Sequence, residues 1–149
     1  MINRKLSKDS LIHQKGCIEI YFENENTSNQ TNSEIVIAGN ELGFLNLASL
    51  LIYHLNNLDD VICVSEFPFT KSRLIFEIAI DDEIEDREGK IFFENNKITW
   101  SISEDNLSII ATDIHSLAFI NDELHLDHLK KMNEISLYFV TDDELTCDS

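Results

Sequence analysis

The sequence predicts an α+β protein, a tandem pseudo-repeat of two ββαββ units with an antiparallel-rich sheet and two helices, forming one compact structural domain. Three observations predict it. The segment Ile20-Tyr21-Phe22-Glu23-Asn24 returns as Ile91-Phe92-Phe93-Glu94-Asn95, an offset of 71, and from Ile35 onward a second offset of 63 runs without gaps to the end of the unit. Apolar residues alternate in the segments that open each unit and recur at helical spacing in the segments that follow. Gly39-Asn40 stops the second strand ahead of the helix, and the one proline, Pro68, falls in a connection.

The elements follow in order. Residues 1–15 carry Arg4, Lys5, Lys8 and Lys15 against Asp9 and read as a loosely held basic N-terminal segment. Residues 16–88 are the first unit with an acidic linker, and residues 89–149 the second unit. Cys17 to Glu23 alternates Ile18, Ile20 and Phe22 with Glu19, Tyr21 and Glu23, a half-buried strand. Glu25 to Ser33 is a polar loop insertion, and Glu34 to Ala38 a second, short strand. Asn40 is placed to cap a helix whose face is Phe44, Leu47, Ala48, Leu51 and Leu55. Val61 to Val64 and Arg73 to Ile80 complete the unit, with Pro68 between them. In the second unit Ser103 takes the capping place, and Leu107, Ile110, Ala111, Ile114 and Ala118 match the helix face. Val61 and Cys63 then align with Leu124 and Leu126, and Leu74 and Phe76 with Leu137 and Phe139. The first helix is apolar over more than one stripe through Leu45, Leu50 and Ile52, so it packs on a second neighbour as well.

Charge bounds the function. With 11 basic and 28 acidic residues the net charge is −17, which repels nucleic acid and anionic lipid and attracts basic proteins. No apolar run approaches the ~20 residues that span a bilayer, and the first residues contain no secretory h-region. Cys17, Cys63 and Cys147 are odd in number and at no metal-ligand spacing, so they read as reduced thiols in a cytoplasmic protein, with Cys63 in the core.

Alternation turns Glu19, Tyr21, Glu23, Ile75, Glu77, Phe92, Glu94, His125, Asp127, Tyr138 and Val140 away from the helices. Aromatics among carboxylates compose a surface that docks a basic partner, the rings supplying buried area and the acids steering. The partner-binding candidates are therefore Glu19, Tyr21, Glu23, Glu77, Phe92, Glu94, His125, Asp127 and Tyr138. No phosphate-binding glycine loop, nucleophile elbow or zinc-protease motif is present, so no catalytic residue, metal ligand or cofactor is assigned. His125-Leu126-Asp127-His128 would need a bend to place all three polar groups on one ion. The recurring triplets Asp81-Asp82-Glu83 and Asp142-Asp143-Glu144 read as solvated strand-end charge.

Ile37-Ala38-Gly39-Asn40, followed by Gly43-Phe44, Leu47-Ala48 and Leu51, resembles the strand–helix signature of small α+β immunity proteins of bacterial polymorphic toxin systems. Leu124-His125-Leu126-Asp127 and Ser136-Leu137-Tyr138-Phe139 resemble that group's later strand pair. The resemblance implies a stoichiometric antidote, without catalysis of its own, that binds and blocks a toxin domain; the net charge makes that a basic domain, a nuclease being one case, and leaves monomer and homodimer both open. Two alternatives remain: a small-ligand protein or metal-dependent enzyme with a site near His125, Asp127 and His115, and an acidic nucleic-acid mimic.

Overall fold

A computed structural model describes residues 12–27, 30–120, 123–129 and 134–147, with backbone alone at 24–27, 30–33, 120, 123, 125–129 and 134–135. The elements are β1 (Ile18–Thr27), β2 (Gln30–Gly39), α1 (Glu41–Asn56), β3 (Val61–Cys63), a 3-10 turn (Val64–Glu66), β4 (Thr70–Ser72), β5 (Ile75–Ile80), β6 (Lys90–Glu94), β7 (Lys97–Ile102), α2 (Glu104–Ile120), β8 (Glu123–Leu129) and β9 (Glu134–Thr141). The α+β class and both ββαββ units are present, with the three-residue β4 added to the first.

The units exchange hairpins. One sheet runs β4-β1-β2-β9-β8 and the other β3-β5-β7-β6, so each joins the opening hairpin of one unit to the closing hairpin of the other. The hairpins are antiparallel, and the seams between units, β2 with β9 and β5 with β7, are parallel. Ile35 pairs with Leu137 in one seam, and Ile98 pairs with Phe76 in the other. Phe22 and Phe93, equivalent at the offset of 71, stack on each other with centroids 5.3 Å apart and planes at 12°. A residue meeting its own counterpart marks a pseudo-twofold axis.

All ten helix positions matched between the units are buried in one core lined by both sheets. Helices α1 and α2 pack against each other. Asn40 caps α1: its Oδ1 accepts from Gly43 N at 2.7 Å and Cys17 N at 3.0 Å, while Nδ2 donates to the carbonyls of Lys15 and Leu145. Ser103 Oγ accepts from Asn106 N at 3.3 Å and caps α2. The second neighbour of α1 includes the chain before β1. Asn46, fully buried, accepts from His13 N at 2.7 Å and returns a bond to His13 O at 3.0 Å. Ile12 packs on the core, so residues 12–15 are docked and not loosely held, while 1–11 lie outside the described residues.

Three further expectations are corrected. The insertion at 25–33 lengthens the hairpin: pairing continues to Thr27 with Gln30, and the eight extra residues divide evenly between two strands. An even split keeps every side chain on its face. In the closing hairpins the gapless offset of 63 fails. Ile62 is buried and pairs with Ile78, as Leu124 pairs with Phe139, while Val61 is 54% exposed and Cys63 half-buried. Both connections are one residue shorter in the second unit, making the offset 62 at β3/β8 and 61 at β5/β9. The acidic triplets obey the offset of 61: Glu83 N donates to Asp81 Oδ1 at 3.0 Å, and Glu144 N to Asp142 Oδ1 at 3.1 Å.

Third, Cys17 and Cys147 are joined by a disulfide, leaving Cys63 as the free thiol. The expectation of three reduced thiols overlooked the return of the C-terminal tail to β1. Asp142 N donates to Gly39 O at 2.8 Å, the Leu145 carbonyl accepts from Asn40, and the Cys17–Cys147 Cα distance is 5.4 Å. The cytoplasmic placement thereby loses its premise. Among the described residues no helix is long and apolar enough to cross a membrane.

Candidate partner-binding surface

Each sheet turns one face to the core and one outward, and the exchange of hairpins divides the sequence-predicted surface between two sheets. Glu19, Tyr21, Glu23, Tyr138 and Val140 belong to the five-stranded sheet. Ile75, Glu77, Phe92 and Glu94 belong to the four-stranded one. His125 pairs with Tyr138 and Asp127 with Ser136 along the backbone of β8, and both side chains lie outside the described residues. The candidates grouped by alternation therefore fall on two sheets.

On the five-stranded sheet, register sets Tyr21, Val36 and Tyr138 in one row across β1, β2 and β9. Val36, 2% exposed, is the floor between two half-buried tyrosines. The next row is Glu19, Ala38 and Val140, and the row on the other side is Glu23, Glu34 and Ser136. Glu23 and Glu34 stand directly opposite each other, a like-charge pair that costs stability in an isolated sheet. Tyr21 is pushed above the usual tyrosine range, first by burial and then by the carboxylates of Glu23, Glu19, Asp142 and Glu34. Those acids come from β1, β2 and the turn after β9. Lys71, in register with Glu19, instead donates through Nζ to the Thr146 carbonyl. Glu34, Val36 and Asp142 are absent from the sequence-based site. Alternation from Ala38 back to Glu34 points to the first two, whereas Asp142 joins only through the folded tail.

The outer face of the four-stranded sheet differs in chemistry. Its rows are Val61-Ala79-Ser101-Lys90, Cys63-Glu77-Thr99-Phe92 and Ile75-Lys97-Glu94. Lys97 Nζ lies 3.1 Å from Glu77 Oε2, and Val61, Ile75 and Phe92 are about half exposed, at 54%, 49% and 47%. Acid is balanced by lysine here, and apolar surface is open.

His54, in the last turn of α1, forms a 2.6 Å Nδ1–Asp59 Oδ2 contact and stacks on Phe67 at 5.8 Å. Asp59 N also donates to His54 O, so the pair fastens the turn into β3. His115 is exposed on α2 beside Phe119. Among the described residues no three His, Cys, Asp or Glu side chains converge to hold a metal ion. The fold and its surfaces thus define a two-unit α+β protein whose most distinctive feature is a tyrosine-centred acidic sheet face. No family model matches the chain, and neither the curated proteins nor the solved structures give a significant match.

Proposed function

We propose that the protein is a stoichiometric inhibitor of the immunity-protein type, which uses the outer face of the five-stranded sheet to bind and block a basic toxin domain. The observation that carries this reading is the concentration of Glu19, Glu23, Glu34 and Asp142 around Tyr21, with Glu23 held opposite Glu34. Carboxylates gathered around an aromatic anchor present the negative potential that a cationic partner complements. Tyr21 and Tyr138 supply amphipathic anchors with a Val36 floor, the composition of an interface centre. The net charge of −17 supports fast, steered association. The Cys17–Cys147 disulfide suits an oxidising compartment, where an inhibitor meets a toxin before it reaches its target.

Co-expression with the product of the neighbouring gene tests the reading. The expected result is a one-to-one complex, protection of the host, and an association rate that falls steeply between low and physiological salt. Tyr21→Ala and Glu34→Lys should each abolish protection without unfolding the protein. A complex insensitive to both substitutions, or no complex and no protection, overturns it.

A further inference from the structure

We propose that strand β6 pairs with β6 of a second copy of this chain, antiparallel about a twofold axis at Phe92, joining two four-stranded sheets into one of eight strands.

The hydrogen-bond phase of the edge comes first. Glu94 and Lys97 flank a two-residue turn whose residues, Asn95 and Asn96, both have positive φ, at 52° and 62°. Such a turn makes its flanking residues a hydrogen-bonded pair. Alternation then points the N–H and C=O groups of Lys90, Phe92 and Glu94 toward β7. The other side of β7 agrees, since the carbonyls of Asn96 and Ile102 accept from Ile75 N and Asp81 N, both at 3.0 Å. The backbone groups of Ile91 and Phe93 therefore point away from β7, on the side of β6 where, among the described residues, no strand pairs.

The pseudo-symmetry shows what that position holds elsewhere. Strand β1, the counterpart of β6, is covered along Ile18–Ile20 by β4 in parallel register. Among the described residues β6 pairs only with β7. An uncovered edge with apolar residues at its centre is a template for strand addition. Phe92 is 47% exposed and Phe93 42%.

The residues of β6 then select the occupant. Lys90-Ile91-Phe92-Phe93-Glu94 is complementary to itself when reversed. About Phe92, Lys90 meets the second copy's Glu94, Ile91 meets Phe93, and Phe92 meets Phe92 across a close non-hydrogen-bonded pair. Lys90, Phe92 and Glu94 share the outer face, so both ion pairs flank the aromatic pair, and Ile91 and Phe93 exchange the backbone bonds. Each copy carries −17, so long-range repulsion opposes association at low salt, and dimer formation rises with ionic strength.

Sedimentation of the full chain across a salt series, with amide hydrogen exchange on both species, tests this. The expected result is a species of twice 17.2 kDa that grows with salt, in which the Ile91 and Phe93 amides become protected while Phe92 is protected in monomer and dimer alike. Lys90→Glu, which opposes two acids, should weaken association roughly tenfold or more, and Lys90→Glu with Glu94→Lys should restore it. Phe92→Lys should give a monomer that still unfolds in one cooperative transition. A monomer at every concentration and salt, a dimer with unprotected Ile91 and Phe93 amides, or failure of the double swap to rescue would each overturn the proposal.

Discussion

The two opening hairpins occupy equivalent places, yet they have settled their charges in opposite ways. In β6–β7 the residues beside the turn are Glu94 and Lys97, and Lys97 also reaches Glu77. In β1–β2 the equivalent residues are Glu23 and Glu34, followed by the extra residues of a longer hairpin. Their inward faces remain alike: Ile20 and Ile91, Ile35 and Ile98, and Ile37 and Trp100 are all buried. A repeated fold fixes the inward residues by packing and leaves the outward ones free. Here that freedom has produced one face that alternates acid with lysine and one that gathers acids around a tyrosine.

The largest effect should come from the shared core. Phe44 and Leu107, equivalent and both 0% exposed, should each cost about 3–5 kcal/mol when truncated to alanine. Both should shift one common unfolding transition, and two separated transitions in denaturant would break the reading of a single core. Cys17→Ser tests an asymmetry, since the bond closes a sequence separation of 130 residues. Its loss should cost about 2–4 kcal/mol, seen as a lower denaturation midpoint. Gly43→Ala should cost about 1–3 kcal/mol, because a Cβ there would lie 2.1 Å from the Cys17 carbonyl oxygen. At the equivalent position in α2, Asn106→Ala should cost less.

Glu34→Lys imports the Glu94–Lys97 arrangement into the first hairpin. It should raise stability by a few tenths of a kcal/mol at low salt, and the gain should shrink as salt is added. A gain in stability with a loss of partner binding is the signature expected of a face whose acids serve recognition. The smallest effect concerns Tyr21. Its elevated pKa leaves the native state holding a proton that the unfolded chain gives up near pH 10. Stability from this group is intact below that pH and declines as pH rises through the folded value. Tyr21→Phe should flatten that decline, and absorbance titration should show one tyrosine ionising late.

The helices were legible because five apolar positions at helical spacing have no other use, and the capping residues Asn40 and Ser103 punctuate them. The opening strands were legible for the same reason at period two. Strand β3 was not: Val61-Ile62-Cys63-Val64 is apolar throughout, so a one-residue slip leaves no mark in composition while reversing every side chain. The exchange of hairpins and the disulfide depend on pairings far apart in sequence, which periodicity does not record. That is also why Glu77, Phe92 and Glu94 were grouped with Tyr21, and why Asp142 was read as strand-end charge.

The stacked Phe22–Phe93 pair and the exchanged hairpins have a consequence for what half of this chain could do alone. A polypeptide containing one unit would own two half-sheets and no whole one, so its assembly would be second order and would fail on dilution. Fusing two such units makes the meeting intramolecular, with a high effective concentration, and removes any requirement that both partners be identical. Severed at the linker, the halves should therefore complement each other in trans, while neither folds by itself.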